Sequence, residues 1–281
     1  MKKLAVLGHP IGHTLSPVMH NASIKALGLA AEYEYGKLDV PPGELMARLA
    51  QLPSEGYGGV NLTIPLKEVA FQGLKKLADS ARILGAVNTV EFSKDGMIGH
   101  NTDGYGFLKA LEEAFGKTVQ DDSVFVLGCG GAGRAVALMA ALNGAKSLTL
   151  ADVDAVRVAN LMAEVRNVAP KVGIVQCLEK AEQINACREA DLVIQASPVG
   201  MKKEDPSLLP KEAFRKGQRV FDLIYMYPET AFLSAAKASG AQIANGLGML
   251  LHQGAKAFEI WTGIKPSVEA MREALEKAVY S

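Results

Sequence analysis

The stretch Val124-Phe125-Val126-Leu127-Gly128-Cys129-Gly130-Gly131-Ala132-Gly133-Arg134-Ala135-Val136 carries the main clue to the architecture. Four consecutive apolar residues read as a strand buried on both faces. The glycines after them match G-x-G-x-x-G, and an apolar helical pattern resumes at once (Ala135, Val136, Leu138, Met139, Leu142). A glycine run alone says little, but a strand before it and a helix after it are the setting in which it cradles a dinucleotide. Gly128 allows the tight turn, Gly130 lets the main chain approach a pyrophosphate, and Gly133 lets the helix close on the strand. Gly131 and Ala132 fall in the first helical turn, whose unpaired N–H groups face the phosphate.

Beyond that loop, Ser147–Ala151 reads as the next strand and ends at Asp152, nineteen residues past Gly133. A carboxylate there accepts the adenosine ribose hydroxyls and repels a 2′-phosphate. Asp154 adds a second negative charge. Arg157 is the only positive group nearby, placed to serve the pyrophosphate or its own helix. The expected cofactor is NAD, with NADP less favoured.

The alternation then continues regularly, with helices over 132–143, 155–165, 180–188 and 230–238. Strands are expected at 147–151, 172–177, 191–195, 219–223 and near 242, and two helices follow at 247–260 and 267–279. Before the glycine stretch, strands are expected at 4–7, 33–40 and 58–63, with a hairpin from 87–92 and 96–100. Helices are expected at 44–51, at 105–115, and after Ser16, read as an N-cap ahead of Pro17. Strands separated by helices mean βαβ units and parallel sheets, an α/β fold.

Composition narrows the function classes. The 281 residues hold 30 Lys+Arg against 30 Asp+Glu, a net charge of zero, which speaks against a basic nucleic-acid-binding face. The three cysteines (Cys129, Cys177, Cys187) have no framework spacing, which points to a reducing, cytoplasmic setting. No apolar run approaches the length of a membrane span. His9, His13 and His20 are separated by Pro10 and Gly12, which interrupt the helix that a paired-histidine metal site needs, so no metal is expected.

Outside the glycine stretch, several segments resemble the shikimate/quinate dehydrogenase family. Gly8-His9-Pro10-Ile11-Gly12-His13-Thr14-Leu15-Ser16-Pro17-Val18-Met19-His20-Asn21 is similar to its N-terminal signature, and Asn61-Leu62-Thr63-Ile64-Pro65-Leu66-Lys67 to its catalytic-lysine motif. Gly85-Ala86-Val87-Asn88-Thr89 and Asn101-Thr102-Asp103-Gly104 resemble its asparagine-bearing segments. Asn245-Gly246-Leu247-Gly248-Met249-Leu250-Leu251-His252-Gln253 resembles its C-terminal motif.

The resemblance implies a reversible hydride transfer between C3 of shikimate, or of 3-dehydroshikimate, and a nicotinamide cofactor. It implies Lys67 and Asp103 as the catalytic pair beside the reacting oxygen, a role worth roughly 10²–10⁴-fold; which of the two carries the proton is left open. Thr14 and Ser16 would hold the substrate carboxylate, and Asn61, Thr63, Asn88 and Gln253 the ring hydroxyls, with Tyr225 close to the substrate. Gly246 and Met249 would join the glycine loop, Asp152 and Arg157 at the cofactor. It further implies two domains. A discontinuous α/β substrate domain (1–103 and 247–281) would carry an inserted Rossmann dinucleotide-binding domain (104–246), in a monomer or homodimer with no nucleic-acid or membrane partner.

Two departures stand out. Thr14 occupies a position where the family commonly has serine. Asp152-Val153-Asp154 replaces the Asn-Arg-Thr of NADP-dependent members. The alternatives are a quinate or dual quinate/shikimate dehydrogenase in catabolism and a cofactor-sensing regulatory protein on the same fold. Each residue also has a plain reading: Lys67 as a solvated helix-start residue, Asp103 and Ser16 as caps, Gln253 as helix surface.

Overall fold

A computed structural model describes all of residues 1–281 and divides the chain into two units. The first comprises residues 1–106, 250–279 and 281, the second residues 107–249 and 280.

The first unit contains β1 (Lys2–Gly8), α1 (Ser16–Ala26), β2 (Tyr33–Asp39), α2 (Leu45–Gln51), β3 (Tyr57–Leu62), α3 (Leu66–Gly73), β4 (Lys76–Leu77) and α4 (Asp79–Leu84). The hairpin strands β5 (Thr89–Ser93) and β6 (Gly96–His100) follow, and α5 (Asp103–Phe115) begins here before running on into the second unit. The strands form one sheet, ordered β2-β1-β3-β5-β6-β4. β1 lies parallel to β2 and β3, as βαβ units require, but β3 pairs antiparallel with β5, and β5 with β6. This sheet is therefore mixed rather than parallel. The short turn after Ser93 is far too brief for a crossover, so the chain must return antiparallel.

β1 shows how the core is built. Its odd and even residues point to opposite faces, with Ala5 and Leu7 joining Val60, Leu45, Leu49 and Leu66 on one side. On the other side Leu4 and Val6 pack with Ile24, Tyr35, Phe258 and Trp261. Gly59 makes room for Trp261, because a Cβ there would lie 2.1 Å from the indole ring. The Trp261 Nε1–H donates to the Val90 carbonyl at 3.0 Å. One expectation fails here. Leu15, not Ser16, is the N-cap of α1, and the Ser16 side chain makes no cap bond. The Ser16 N–H instead faces the Thr14 hydroxyl.

The second unit contains β7 (Ser123–Leu127), α6 (Gly131–Leu142), β8 (Ser147–Ala151), α7 (Ala155–Val168), β9 (Gly173–Gln176), α8 (Lys180–Glu189), β10 (Leu192–Gln195), β11 (Arg219–Asp222), α9 (Ala231–Ala238) and β12 (Gln242–Asn245). Its sheet runs β12-β11-β10-β7-β8-β9 with every pairing parallel. The strand order reverses at β7 and β10, and in open parallel sheets ligands bind outside the strands' carboxyl ends at such a switch point. Val124 to Leu127 are all buried, as a strand covered on both faces must be. α10 (Leu247–Thr262) starts in this unit and continues in the first, where α11 (Val268–Tyr280) completes the fold. No helix is long and apolar enough to cross a membrane.

Candidate active site

In the first unit, segments far apart in sequence meet at the end of β3. Lys67 is the second residue of α3 and Asp103 the first of α5. The Lys67 ammonium lies 2.7 Å from Asp103 Oδ2, with side chains 30% and 17% exposed, so both are sheltered yet reachable. A cation in the first turn of a helix opposes the helix dipole, whereas a carboxylate there is favoured. Asp103 therefore both suits its own helix and compensates Lys67. Main-chain bonds join the carriers: Val87 N–H donates to the Lys67 carbonyl (3.0 Å) and Leu62 N–H to that of Asn88 (2.8 Å). Asn101 ties its loop down by accepting the Asp103 N–H (2.9 Å) and donating to the Ala86 carbonyl (3.0 Å).

Asn88 is buried, and its amide hydrogens point to Asp103 Oδ1 and the Thr102 hydroxyl, both at 2.9 Å. Gln253, on α10, brings its Oε1 to 3.4 Å from the same amide. Asn61, also buried, donates to the Asn88 carbonyl and the Thr89 hydroxyl, both at 3.1 Å, and accepts from the Tyr35 hydroxyl at 2.7 Å. Thr14 and Ser16 present adjacent hydroxyls, with their oxygens 3.3 Å apart. Thr63 is half-buried just past β3. Eight of the expected site residues thus lie in this unit: Thr14, Ser16, Asn61, Thr63, Lys67, Asn88, Asp103 and Gln253.

The glycine loop in the second unit fits a dinucleotide. Gly128 has a φ of +103°, and a Cβ on Gly133 would lie 1.8 Å from the Gly128 carbonyl oxygen, so neither position accepts a side chain. Around Gly130 and Gly131 the space is open, and no side chain caps the N-terminus of α6. Free N–H groups beside open space are what a pyrophosphate requires. Burial, with the Asp152 carboxylate beside it, pushes the Cys129 thiol up to about 12.

Asp152 holds the loop from the neighbouring strand, accepting the Cys129 N–H at 2.6 Å and the Asp154 N–H at 2.9 Å. Asp154 caps α7 and pairs with Arg157 at 3.3 Å. Gly246 closes on the loop after β11, where a Cβ would meet the Leu223 carbonyl oxygen at 2.0 Å; Met249 follows in α10. Tyr225 is half-buried on that same loop, and burial raises its hydroxyl above the usual range. It belongs to the second unit.

Four residues to which the sequence gives no individual role hold this framework together. Tyr35 and Thr89 bond to the asparagines, while Gln195 and Asp222 end adjacent strands and hold the loops beyond them. Gln195 Nε2 donates to the Val199 carbonyl at 2.8 Å, and Asp222 accepts the Thr230 hydroxyl at 2.6 Å and the Ile224 N–H at 3.0 Å. Thr89 sits beside Asn88 in a motif already singled out; buried polar residues at strand ends carry no periodic signal. Among the histidines, His20 is stacked on Tyr35 with burial bringing it down to about 3, and His9 pairs with Asp39.

Comparison with known proteins gives a consistent picture. Family models described as "Shikimate dehydrogenase substrate binding domain" and "Shikimate 5'-dehydrogenase C-terminal domain" match residues 6–90 and 246–276, and one described as "ThiF family" matches 106–186. A shikimate dehydrogenase (NADP(+)) of Methanopyrus kandleri is 40% identical over 277 residues, covering 97% of this chain and 94% of that protein. The structure of shikimate 5-dehydrogenase from Thermus thermophilus in complex with NADP(H) and shikimate is 39% identical. It has a TM-score of 0.85 and covers 99% of this chain and 100% of that one. The Listeria monocytogenes enzyme in complex with shikimate and NAD is 32% identical with a TM-score of 0.91, covering 98% and 96% of the two chains.

Proposed function

The chain belongs to the shikimate dehydrogenase family, and on that basis we propose that Lys67 and Asp103 handle the proton of the hydroxyl being oxidised. The protein is an oxidoreductase that interconverts shikimate and 3-dehydroshikimate; the quinate alternative is not favoured, and a purely regulatory role is set aside. The nicotinamide cofactor supplies hydride acceptance and donation when bound. Oxidising an alcohol also removes its O–H proton, so a proton acceptor must stand beside that oxygen. The 2.7 Å contact between the Lys67 ammonium and the Asp103 carboxylate is the observation that carries this reading. In the reductive direction the Lys67 ammonium polarises the ketone and returns the proton.

The remaining roles follow from chemistry. The paired Thr14 and Ser16 hydroxyls suit the substrate carboxylate. Thr63 and Gln253 suit ring hydroxyls, and Tyr225 adds a polar group from its own unit. Asn61 has both amide hydrogens engaged, so it meets a hydroxyl through its oxygen. Asn88 reaches the ring beside the Asp103 carboxylate that it holds.

For the cofactor we favour NAD, although relatives carry NADP(+) in their names. A 2′-phosphate at the end of β8 would meet Asp152 and Asp154, and the Arg157 guanidinium there is already paired with Asp154. The 2′- and 3′-hydroxyls of an unphosphorylated ribose instead find acceptors.

Initial rates for shikimate with NAD and with NADP test both readings. NADP matching or exceeding NAD in kcat/KM would overturn the preference. Lys67→Ala is expected to lower kcat by roughly 10²–10⁴-fold with cofactor KM nearly unchanged; an undiminished kcat removes Lys67 from its role.

A further inference from the structure

Asp103 is gripped from two sides, by Lys67 at Oδ2 and by the Asn88 amide at Oδ1. The second grip leads inward through a chain that includes two residues, Thr89 and Tyr35, to which the family resemblance assigns no role. Asn88 Oδ1 accepts the Thr89 hydroxyl at 2.9 Å. The Thr89 oxygen accepts the Asn61 amide at 3.1 Å, and Asn61 Oδ1 accepts the Tyr35 hydroxyl at 2.7 Å. The Tyr35 ring is clamped in turn against the His20 ring, with centroids 4.1 Å apart and planes within 9°.

The direction of every bond is fixed by two main-chain groups. The Asn88 carbonyl can only accept, so the Asn61 atom facing it at 3.1 Å is the NH₂, and the other end of that amide must accept from Tyr35. The Thr102 N–H can only donate, so the Asn88 atom facing it at 2.8 Å is the oxygen, and the NH₂ is left for Asp103. Thr89 has one proton and lies between an amide hydrogen and an amide oxygen. It therefore donates to Asn88 and accepts from Asn61.

The geometry points to Tyr35 and Thr89 as positioning residues of the reaction, which brace the Asn61 and Asn88 amides, already oriented by main-chain groups, so that Asn88 holds its donor against Asp103. The inference rests on the reading of Lys67 and Asp103 as the proton-handling pair. Tyr35 and Thr89 are both buried, and the bonds that they make in this chain run to the asparagine side chains rather than to Lys67 or Asp103. Without the Thr89 hydroxyl Asn88 Oδ1 loses one of the bonds that hold it in place, and the Asn61 amide loses an acceptor. An amide less firmly held no longer fixes Asp103 Oδ1, and a dyad misplaced by about 1 Å loses about 100-fold in rate.

The test uses the full-length protein and the better of NAD and NADP. Thr89→Val, which keeps the shape and removes the hydroxyl, is expected to lower kcat/KM for shikimate by roughly 10- to 100-fold, with the cofactor KM within about twofold of parent. Thr89→Ser, which restores the hydroxyl, is expected to recover activity to within about threefold, and Tyr35→Phe to lose roughly 3- to 10-fold. Parental kcat/KM in Thr89→Val overturns the proposal. So does an equal loss in Thr89→Ser, or a loss confined to the cofactor KM, because packing alone would produce those results. If Thr89→Val does not fold, Tyr35→Phe decides, and parental kcat/KM there overturns the proposal. Lys67→Ala run alongside separates the two levels. An active Lys67→Ala overturns the site reading beneath the proposal, whereas an inactive Lys67→Ala beside a fully active Thr89→Val overturns the positioning network alone.

Discussion

Asp222 ends β11 with no exposed surface, and burial pushes its carboxyl up to about 6 despite the Thr230 hydroxyl and Ile224 N–H that favour its charged form. A folded-state value above the ordinary 3.8 means that the native protein holds this proton more tightly than the unfolded chain. Its stabilising share is therefore complete below about 3.8 and is lost as pH rises through about 6. The gap between 3.8 and about 6 corresponds to about 3 kcal/mol. Asp222→Asn keeps an acceptor for Ile224 and carries no charge, so its melting temperature should exceed the parent's at about pH 8, with the gap closing towards about pH 5. A gap independent of pH would show that the buried charge is not what costs stability. Asp222 also marks a limit of reading residues in order. Gly128 and Gly133 are legible because motif and context coincide, whereas Lys67 and Asp103 stand out only through the family resemblance. Asp222, Gln195, Tyr35 and Thr89 acquire meaning only when sheet pairing sets them beside their partners, and no local pattern encodes that pairing.

At the level of single elements, the Asp154 side chain caps α7 through Val156 and Arg157 N–H groups and also pairs with the Arg157 side chain. Two substitutions separate these roles. Asp154→Ala should cost about 1 kcal/mol through the lost cap, seen in thermal melts, whereas Asp154→Ser should retain most of that stability. Both release Arg157 and remove a carboxylate, so both should raise kcat/KM for NADP relative to NAD. An unchanged ratio would move selectivity to Asp152. Element types in the second unit are readable almost throughout, because parallel strands, buried at the centre of the sheet, alternate with helices. In the first unit the signal weakens. The segment carrying α3, β4 and α4 is built of short elements, and β4 has only two residues. The antiparallel turn-back at β5 and β6 is visible as a hairpin, but its effect on the whole sheet depends on β3 pairing with β5.

Across the molecule, the first unit closes its core with side chains from the far end of the chain. Leu4, Val6, Ile24 and Tyr35 pack on Ala257, Phe258 and Trp261. A fragment of residues 1–106 alone should therefore lack cooperative unfolding, and linking residues 250–281 to it should restore a sigmoidal melt followed by circular dichroism. A cooperative melt of the short fragment would show that the α10 residues are dispensable for that core. The discontinuity itself can be inferred from motifs at both ends of the chain, but the division runs through α5 and α10 rather than at their starts.

That closure also governs the order of events during synthesis. Domains generally fold in the order in which they leave the ribosome, yet β1, β2 and β3 are made long before Phe258 and Trp261 exist to cover one of their faces. All the strands and helices between β7 and β12 emerge earlier than those two aromatic residues. The middle of this protein is thus made in full while Leu4 and Val6, with only Ile24 and Tyr35 beside them, still lack the α10 side chains that complete their side of the core.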